Sequence, residues 1–160
     1  MKKINNKDLI FNRDSRIYTV KGDNDICIDA NGFRYGVNTN PNISPKISPI
    51  DPEQIGRASV YVMRVTKNKI VNTTATSYGL KHRAEKYNRH IHKAEDSSYE
   101  AYCSNGAFIS AMIEAGFDIY LNEHEGLNVY FNYSTRSTSK IRTEILNVEK
   151  QTQHEGVMRW

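Results

Sequence analysis

The chain has 160 residues and a formal net charge of +4, which suits one domain with a hydrophobic core of ordinary size. No window approaches the run of about 18 apolar residues that a membrane span needs, and the N-terminal MKKINNKDLIFNRDS lacks the apolar segment of a secretory signal. Cys27 and Cys103 form neither a CxxC motif nor a disulfide framework. We therefore expect neither a membrane protein nor a disulfide-stapled secreted domain, but a soluble protein of the cytoplasm.

Three short β-rich runs, RIYTV, ICIDA and FRYGV, follow one another between residues 16 and 37. The turn-forming segment KGDN lies between the first two runs, and the Asn31-Gly32 pair lies between the second and the third. The pattern predicts an N-terminal β-meander within residues 1–40. It leaves open whether this unit packs on the rest of the chain.

All four prolines occur within the segment NPNISPKISPIDPEQ. Proline lacks a backbone donor and pushes the preceding residue towards an extended conformation, so residues 41–56 should form neither a helix nor a central strand. A linker and an extended arm both satisfy this pattern. The isoleucines at Ile43, Ile47 and Ile50 favour an arm that packs against the domain.

Residues 57–150 are predicted to form the basic α+β core, followed by a tail at residues 151–160. The first segment of this core, SVYVMRV at residues 59–65, is predicted to be a strand because β-branched and aromatic residues dominate it. We expect a turn at Lys67–Lys69 and a partner strand in IVNTT.

The segment SYGLKHRAEKYNRHIHK, residues 77–93, has the clearest helical period in the chain. Leu80, Ala84, Tyr87 and Ile91 recur at the spacing of one buried helix face. A neighbouring face carries basic side chains at the same spacing. One side of this helix is thus expected to enter the core while another side meets a negatively charged partner.

Positive charge is concentrated around this helix. Residues 57–93 contain nine Lys or Arg against one acid, whereas residues 101–160 contain five against seven. This concentration is typical of a surface for nucleic acid or an acidic partner, although a solvated basic helix face gives the same pattern. The predicted basic surface consists of Arg64, Lys67, Lys69, Lys81, Arg83, Lys86, Arg89 and Lys93.

A second helix is predicted at SNGAFISAMIEAGF, residues 104–117. Ser104 or Asn105 is expected to cap its start, and Gly116 stands where a left-handed residue ends a helix. Because its apolar arc is wide, we expect this segment to be the central helix of the core.

The segments DIYL and LNVYFNY, around the turn NEHEG, predict a β-hairpin. Leu127, Val129, Phe131 and Tyr133 are expected to point inward, and the residues between them outward. The following STRSTS is predicted to be a loop, and KIRTEILNVEK a short helix or a strand.

The expected fold is therefore α+β, with a β-meander, a proline-rich arm, and a mixed core of two main helices and a hairpin. A basic helix, a core helix and a hairpin follow one another in a winged-helix module, and this chain has the same order. The second helix carries almost no charge, however. Contact with nucleic acid should therefore be mostly with phosphate groups.

The segments SYGLKHRAEKY and YCSNGAFISAMIEAGF together resemble short proteins that phages and other mobile elements carry. In those proteins a helix beginning with SYGLKH and a helix containing SNGAFI lie close together. The resemblance brings no catalytic motif with it. It implies a protein that acts by binding host machinery, such as defence nucleases or transcription complexes, in the cytoplasm of the host cell.

The chain contains no GxSxG motif, Walker loop or Rossmann fingerprint, and no spacing that indicates a metal or a cofactor. The favoured function is a non-enzymatic binding protein, whose partner is nucleic acid or an acidic or nucleic-acid-binding host protein. One alternative is a small hydrolase or transferase that uses a histidine or Cys103, whose position before a helix should lower its pKa. Another is a virion or assembly component, and self-association stays open.

Overall fold

The computed structural model describes residues 1–36, 46–92 and 99–157. Within these residues, α-helices and two antiparallel sheets confirm the predicted α+β class. The strands are β1 (Lys2–Ile4), β2 (Leu9–Asn12), β3 (Ile17–Val20), β4 (Asp23–Asp29), β5 (Gly32–Tyr35), β6 (Lys67–Asn72), β7 (Ile119–Leu121) and β8 (Val129–Tyr133). The α-helices are α1 (Pro52–Val62), α2 (Ser77–His92), α3 (Asn105–Glu114) and α4 (Thr135–Val157).

The N-terminal meander forms the first sheet, in the order β2-β3-β4-β5. The three predicted strands are present, and β2 precedes them as an additional edge strand. The predicted turn at Asn31-Gly32 joins β4 to β5, with Gly32 at a φ of +126° that favours glycine.

The meander packs directly on the start of α3. The backbone N–H of Gly106 donates to the carbonyl of Ala30 at 2.9 Å, and Asn105 Nδ2 donates to the carbonyl of Asn31 at 3.2 Å. A Cβ atom on Gly106 would overlap the carbonyl of Asp29. Glycine is therefore required where the helix meets the sheet.

The second sheet has the order β1-β7-β8-β6, so the first residues of the chain extend the sheet that contains the hairpin. The predicted hairpin of β7 and β8 is confirmed, with Ile119 opposite Phe131. The predicted alternation along it is wrong, since every residue of β8 is buried while Leu127 is 42% exposed. Asn132 stays satisfied in this setting because it donates to the carbonyl of Asn68 and accepts from Asp118 N–H.

Helix α1 replaces the predicted strand at residues 59–65 and the end of the predicted arm. Asp51 caps it by accepting from the N–H of Glu53 at 2.9 Å, and Pro52 follows at the first helical position, where a missing donor has no cost. Its buried residues recur at helical spacing: Ile55, Ala58, Tyr61 and Val62. This packing overrides the β propensity of SVYV.

The described part of the proline-rich segment packs against the meander. The side chain of Ile50 is fully buried and its N–H donates to the carbonyl of Arg16, while the carbonyl of Ser48 accepts from Ala30 N–H. Ile47, by contrast, is 37% exposed. Pro41, Ile43 and Pro45 lie outside the described residues.

Strand β6 begins at Lys67, so the predicted turn at Lys67–Lys69 is wrong. The chain instead turns between the end of α1 and Thr66, and Lys67 pairs with Tyr133 of β8. The predicted strand in IVNTT is present only as far as Asn72.

Helices α2 and α3 confirm the two predicted helices. Ser104 caps α3 by accepting from the N–H of Ala107 at 3.1 Å, and every residue from Asn105 to Ile113 is buried. Gly116 adopts a φ of +82°, and Phe117 N–H donates back to the carbonyl of Met112. The expected glycine-terminated end of a core helix is therefore present.

Helix α4 replaces the predicted loop STRSTS, and it also includes KIRTEILNVEK and residues 151–157 of the predicted tail. Ile141 and Ile145, four residues apart, are buried and anchor it to the core. The part of the chain that the structure describes has no helix with both the length and the apolar content to cross a membrane.

Candidate nucleic-acid interface

Seven of the eight cations predicted to form one basic surface lie among the described residues, and these seven occupy three different environments. Two of them are paired with carboxylates of the protein itself, one in a buried pair and one in a partly exposed pair. Lys81 is only 4% exposed, and its Nζ lies 2.6 Å from Oε1 of Glu85. Arg64 Nη1 lies 2.7 Å from Oε2 of Glu144. The prediction that Lys81 belongs to a surface is therefore wrong, since a buried cation needs its counter-charge beside it.

Two more of the predicted cations lie on β6, away from the helix that carries most of the charge. Lys67 and Lys69 are both exposed, and Nζ of Lys67 lies 5.6 Å from the ring centroid of Phe117. This position places Lys67 at the end of α3. Lys93 lies outside the described residues.

Arg83, Lys86 and Arg89 form the third group, and all three are exposed on α2. Arg83 and Lys86 line a cleft of about 320 Å³ between α2 and α4, which we call the α2–α4 cleft. The complete lining consists of Tyr61, Thr74, Arg83, Lys86, Thr135, Thr138, Ser139, Ile141, Arg142 and Ile145.

The charged side chains of the α2–α4 cleft are all cations. Arg142 of α4 joins Arg83 and Lys86 of α2, and none of the described lining residues is a carboxylate. Four serine or threonine residues accompany the cations, namely Thr74, Thr135, Thr138 and Ser139. Thr138 is buried, and its hydroxyl donates to the carbonyl of Thr135 at 3.0 Å. Guanidinium, ammonium and hydroxyl groups are the side-chain donors that phosphate oxygens accept from.

The two helices place these cations as a consequence of their apolar faces. Leu80 and Ala84 turn inward from α2, and this orientation leaves Arg83 and Lys86 at the surface. On α4, buried Ile141 precedes exposed Arg142. The floor of the cleft is therefore apolar and its rim is basic.

The first turns of α4 contribute more than hydroxyl groups. Thr135 is the first residue of this 23-residue helix, and its Oγ1 accepts from Asn72 Nδ2 at 2.7 Å. Thr138 and Ser139 follow within the next turn. The N-terminal end of a helix carries a partial positive charge, which adds to the attraction that the three cations of the cleft exert on an anion.

The tyrosines beneath the cleft are neutral. Burial raises the pKa of Tyr61 to about 12, against the opposing effect of Arg83. Burial likewise raises the pKa of Tyr133, again opposed by Arg83. No phenolate therefore offsets the positive charge of the rim at neutral pH.

A second polar cluster lies at the start of α2 and contains the buried pair Lys81–Glu85. His82 Nδ1 lies 3.0 Å from Glu85 Oε2, and the N–H of Cys103 donates to Glu85 Oε1 at 3.3 Å. Burial would raise the pKa of Glu85, but the hydrogen bonds from Lys81 and from the Cys103 N–H outweigh it and hold this pKa below its ordinary value. The cluster thus retains a buried carboxylate.

Cys103 does not have the environment of a nucleophile. Its side chain is fully buried, and burial together with the nearby Glu85 raises the pKa of the thiol to about 12. The expected lowering of this pKa by the following helix is therefore wrong, because desolvation outweighs the helix end.

The structure also excludes α3 as a recognition helix. Its residues from Asn105 to Ile113 are buried, so it cannot enter a groove of DNA. The order of elements matches a winged helix, but the described residues of α3 include no cation, and the exposed cations of the cleft lie on α2 and α4.

Sequence reasoning missed the α4 half of the cleft, namely Thr135, Thr138, Ser139 and Arg142. The available signal was the i, i+4 spacing of Ile141 and Ile145, which is typical of a helix. That helix extends back through the preceding serines and threonines.

No family model matches the chain, and no curated protein or solved structure matches it either.

Proposed function

We propose that this chain is a non-enzymatic binding protein that holds the phosphate backbone of a nucleic acid in the α2–α4 cleft. The observation that carries this proposal is the lining of the cleft, in which Arg83, Lys86 and Arg142 stand beside four serine or threonine residues, with no carboxylate among the described lining residues. Neutralising phosphates releases condensed counterions, which supplies affinity independent of sequence. Exposed Arg89 continues the basic surface along α2 beyond the cleft.

Recognition in this mode depends on phosphate and not on base edges. The helix that would read a groove, α3, is buried. The rim cations and the start of α4 contact an anion without requiring a particular base. Binding should therefore be strong at low salt and weak in sequence preference.

The biological setting is a further part of the proposal. The resemblance of residues 77–117 to proteins of phages and mobile elements supports a role in modulating host defence or transcription in the host cytoplasm. In that setting the partner is nucleic acid itself or a host protein that handles it. An acidic host protein that competes with nucleic acid for the cleft would fit the same lining.

No observation favours the alternative of a thiol enzyme, since Cys103 is buried with a pKa raised to about 12. The assembly-component alternative likewise has no structural observation in its favour. The binding function is therefore the one to test first.

The test compares two triple variants that lower the net charge equally. One is Arg83→Gln/Lys86→Gln/Arg142→Gln, in the α2–α4 cleft. The other is Arg13→Gln/Lys21→Gln/Lys46→Gln, which removes exposed cations outside the cleft and outside α2 and α4. Binding to labelled DNA and RNA oligonucleotides is measured by fluorescence anisotropy across a salt series.

The cleft variant should lose most of its affinity at low salt, while the control variant should stay close to the unmodified chain. For a single strand, the slope of log affinity against log salt should flatten by about 0.7 for each phosphate contact removed. Equal losses in both variants, or no binding by the unmodified chain at low salt, would overturn the proposal.

A further inference from the structure

We infer that three exposed aromatic side chains, two on α2 and one just before α3, form a stacking platform for unpaired bases, so that the nucleic acid bound is single-stranded. We call Tyr78, His82 and Tyr102 the aromatic platform. This inference rests on the proposed function, because it concerns which form of nucleic acid that function uses.

The three rings are exposed and adjacent. Tyr78 is 51% exposed, Tyr102 is 49% exposed, and the side chain of His82 is 50% exposed. The rings of Tyr78 and His82 lie perpendicular with centroids 4.4 Å apart. Lys81 Nζ lies 5.5 Å from the ring centroid of Tyr78 and 4.8 Å from that of Tyr102, so one cation connects both tyrosines. Large rings left half-exposed in one place provide faces on which bases stack.

The buried pair Lys81–Glu85 holds this platform in position. Glu85 accepts from the backbone of Cys103, the residue after Tyr102, and also contacts His82. Arg57 adds a further tie by donating to the carbonyl of Tyr102 at 3.0 Å. Two separate chain segments are thus joined beneath the rings. Rings that are already positioned lose less conformational entropy when a ligand stacks on them.

The platform is continuous with the basic surface. Tyr78, His82 and Lys86 follow one another at i, i+4 and i+8 on α2, so they form one stripe about 12 Å long. Lys86 also lines the α2–α4 cleft. A short strand whose bases stack on the platform therefore brings its phosphates towards Lys86, at the α2 side of the cleft.

A duplex cannot use this arrangement, because its bases are stacked on one another and paired inside the helix. Single-strand binding proteins combine a basic groove with aromatic side chains, and in this chain α2 contributes to both, with Tyr78 and His82 in the platform and Arg83 and Lys86 in the cleft. A protein partner would use the rings as an apolar contact and would use the donors in the cleft only if it also carried acidic side chains, whereas a single strand carries a phosphate beside every base. The charge beside the rings therefore favours a single strand.

The test measures binding of labelled oligothymidylate and oligouridylate, each about 12 nucleotides long, against a DNA duplex of the same length. The unmodified chain should prefer both single strands, and comparison of the two separates DNA from RNA. Tyr78→Ala and Tyr102→Ala should each lower single-strand affinity by about ten-fold while leaving duplex affinity unchanged. Tyr78→Phe and Tyr102→Phe should bind normally, since a phenyl ring still stacks.

Tyr35→Ala is the matched control, because Tyr35 is 75% exposed on the separate meander sheet. Salt-dependent binding that depends on Arg83, Lys86 and Arg142 but favours duplex, or ignores the alanine variants, would overturn the inference and leave the proposed function standing. Absence of binding to any nucleic acid would overturn both. Loss of affinity in the phenylalanine variants as well would point to the hydroxyl groups and would also overturn stacking.

Discussion

Helix α2 carries two groups of charged side chains, one exposed and one buried. In the α2–α4 cleft, Arg83 and Lys86 are exposed beside Arg142 with no described carboxylate in the lining. At the start of the same helix, Lys81 is buried at 2.6 Å from Glu85. The positive charge of a segment is therefore not the same as the positive charge available to a partner, because burial requires that a charge be paired. One group is paired inside the protein, and the other is exposed without a carboxylate in the described lining of the cleft.

The largest expected difference between the two groups concerns stability. Lys81→Met leaves the Glu85 carboxylate buried without its main counter-charge, so the free energy of unfolding should fall by about 3–5 kcal/mol. Lys86→Met, at an exposed position on the same helix, should change it by less than about 0.5 kcal/mol. Urea denaturation of both variants checks this contrast. Equal losses would mean that the two lysines do not differ as described.

The rate at which Cys103 is alkylated measures how well solvent is excluded from the region around the buried Lys81–Glu85 pair, because the Cys103 N–H donates to Glu85. Its pKa of about 12, against an ordinary value of 9.0, corresponds to about a thousand-fold less thiolate at neutral pH. In a Cys27→Ala background, which leaves Cys103 as the one thiol in the sequence, alkylation should be at least that much slower in the folded chain than in urea. Iodoacetamide labelling followed by mass spectrometry measures both rates. Rapid labelling of the folded chain would revive the thiol-enzyme alternative.

Acid should lower the free energy of unfolding more through the buried Lys81–Glu85 pair than through the partly exposed Arg64–Glu144 pair. The folded-state pKa of Glu85 lies below its ordinary value of 4.5, so the stability that its charge contributes is present above pH 4.5 and is lost as the pH falls through the folded pKa. Unfolding free energy should therefore decline more steeply below pH 4.5 in the unmodified chain than in Glu85→Gln.

Glu144→Gln is the control for this pH dependence. Arg64 also lowers the pKa of Glu144, but this carboxylate is 44% exposed, and solvent screens the pair. The pH profile of Glu144→Gln should stay close to that of the unmodified chain. A profile that flattens as much as that of Glu85→Gln would contradict the distinction between buried and exposed pairs.

The smallest expected effect concerns Arg64. Its ion pair with Glu144 is partly exposed, so Arg64→Gln should lower stability by less than about 1 kcal/mol. Nucleic-acid affinity should change less than in Arg83→Gln, because Arg64 already has a carboxylate partner. Anisotropy measurements on both single variants decide this. An equal loss of affinity would extend the interface beyond the α2–α4 cleft.

Elements with local signals were predictable from the sequence. The period of α2, the serine cap and glycine end of α3, and the turn at Asn31-Gly32 each depend on residues a few positions apart. The errors fell where local preference and packing disagree. The β-branched residues of SVYV became part of α1, and the serines and threonines of STRSTS became the first turns of α4.

The candidate site was predictable only in part, for the same reason. Arg83, Lys86 and Arg89 follow from the exposed face of α2, which periodicity indicates. Arg142 and the hydroxyls of α4 do not, because a site between two helices needs both helices to be known. Lys81 and Glu85 have opposite charges and lie four residues apart on one helix, which indicates an ion pair. Counting the charges over residues 57–93 does not reveal this pair, because a count ignores the spacing.

Composition, helix caps and periodicity act over short distances along the chain, so they were enough to predict the α+β class, the two central helices and the presence of a basic region. Which cations are exposed and which are paired with carboxylates depends on long-range packing, since burial involves segments far apart in sequence. Packing brings α4 beside α2, and it brings the Tyr102–Ser104 segment over Glu85. These long-range contacts convert a basic segment into a basic cleft, an aromatic platform and a buried ion pair.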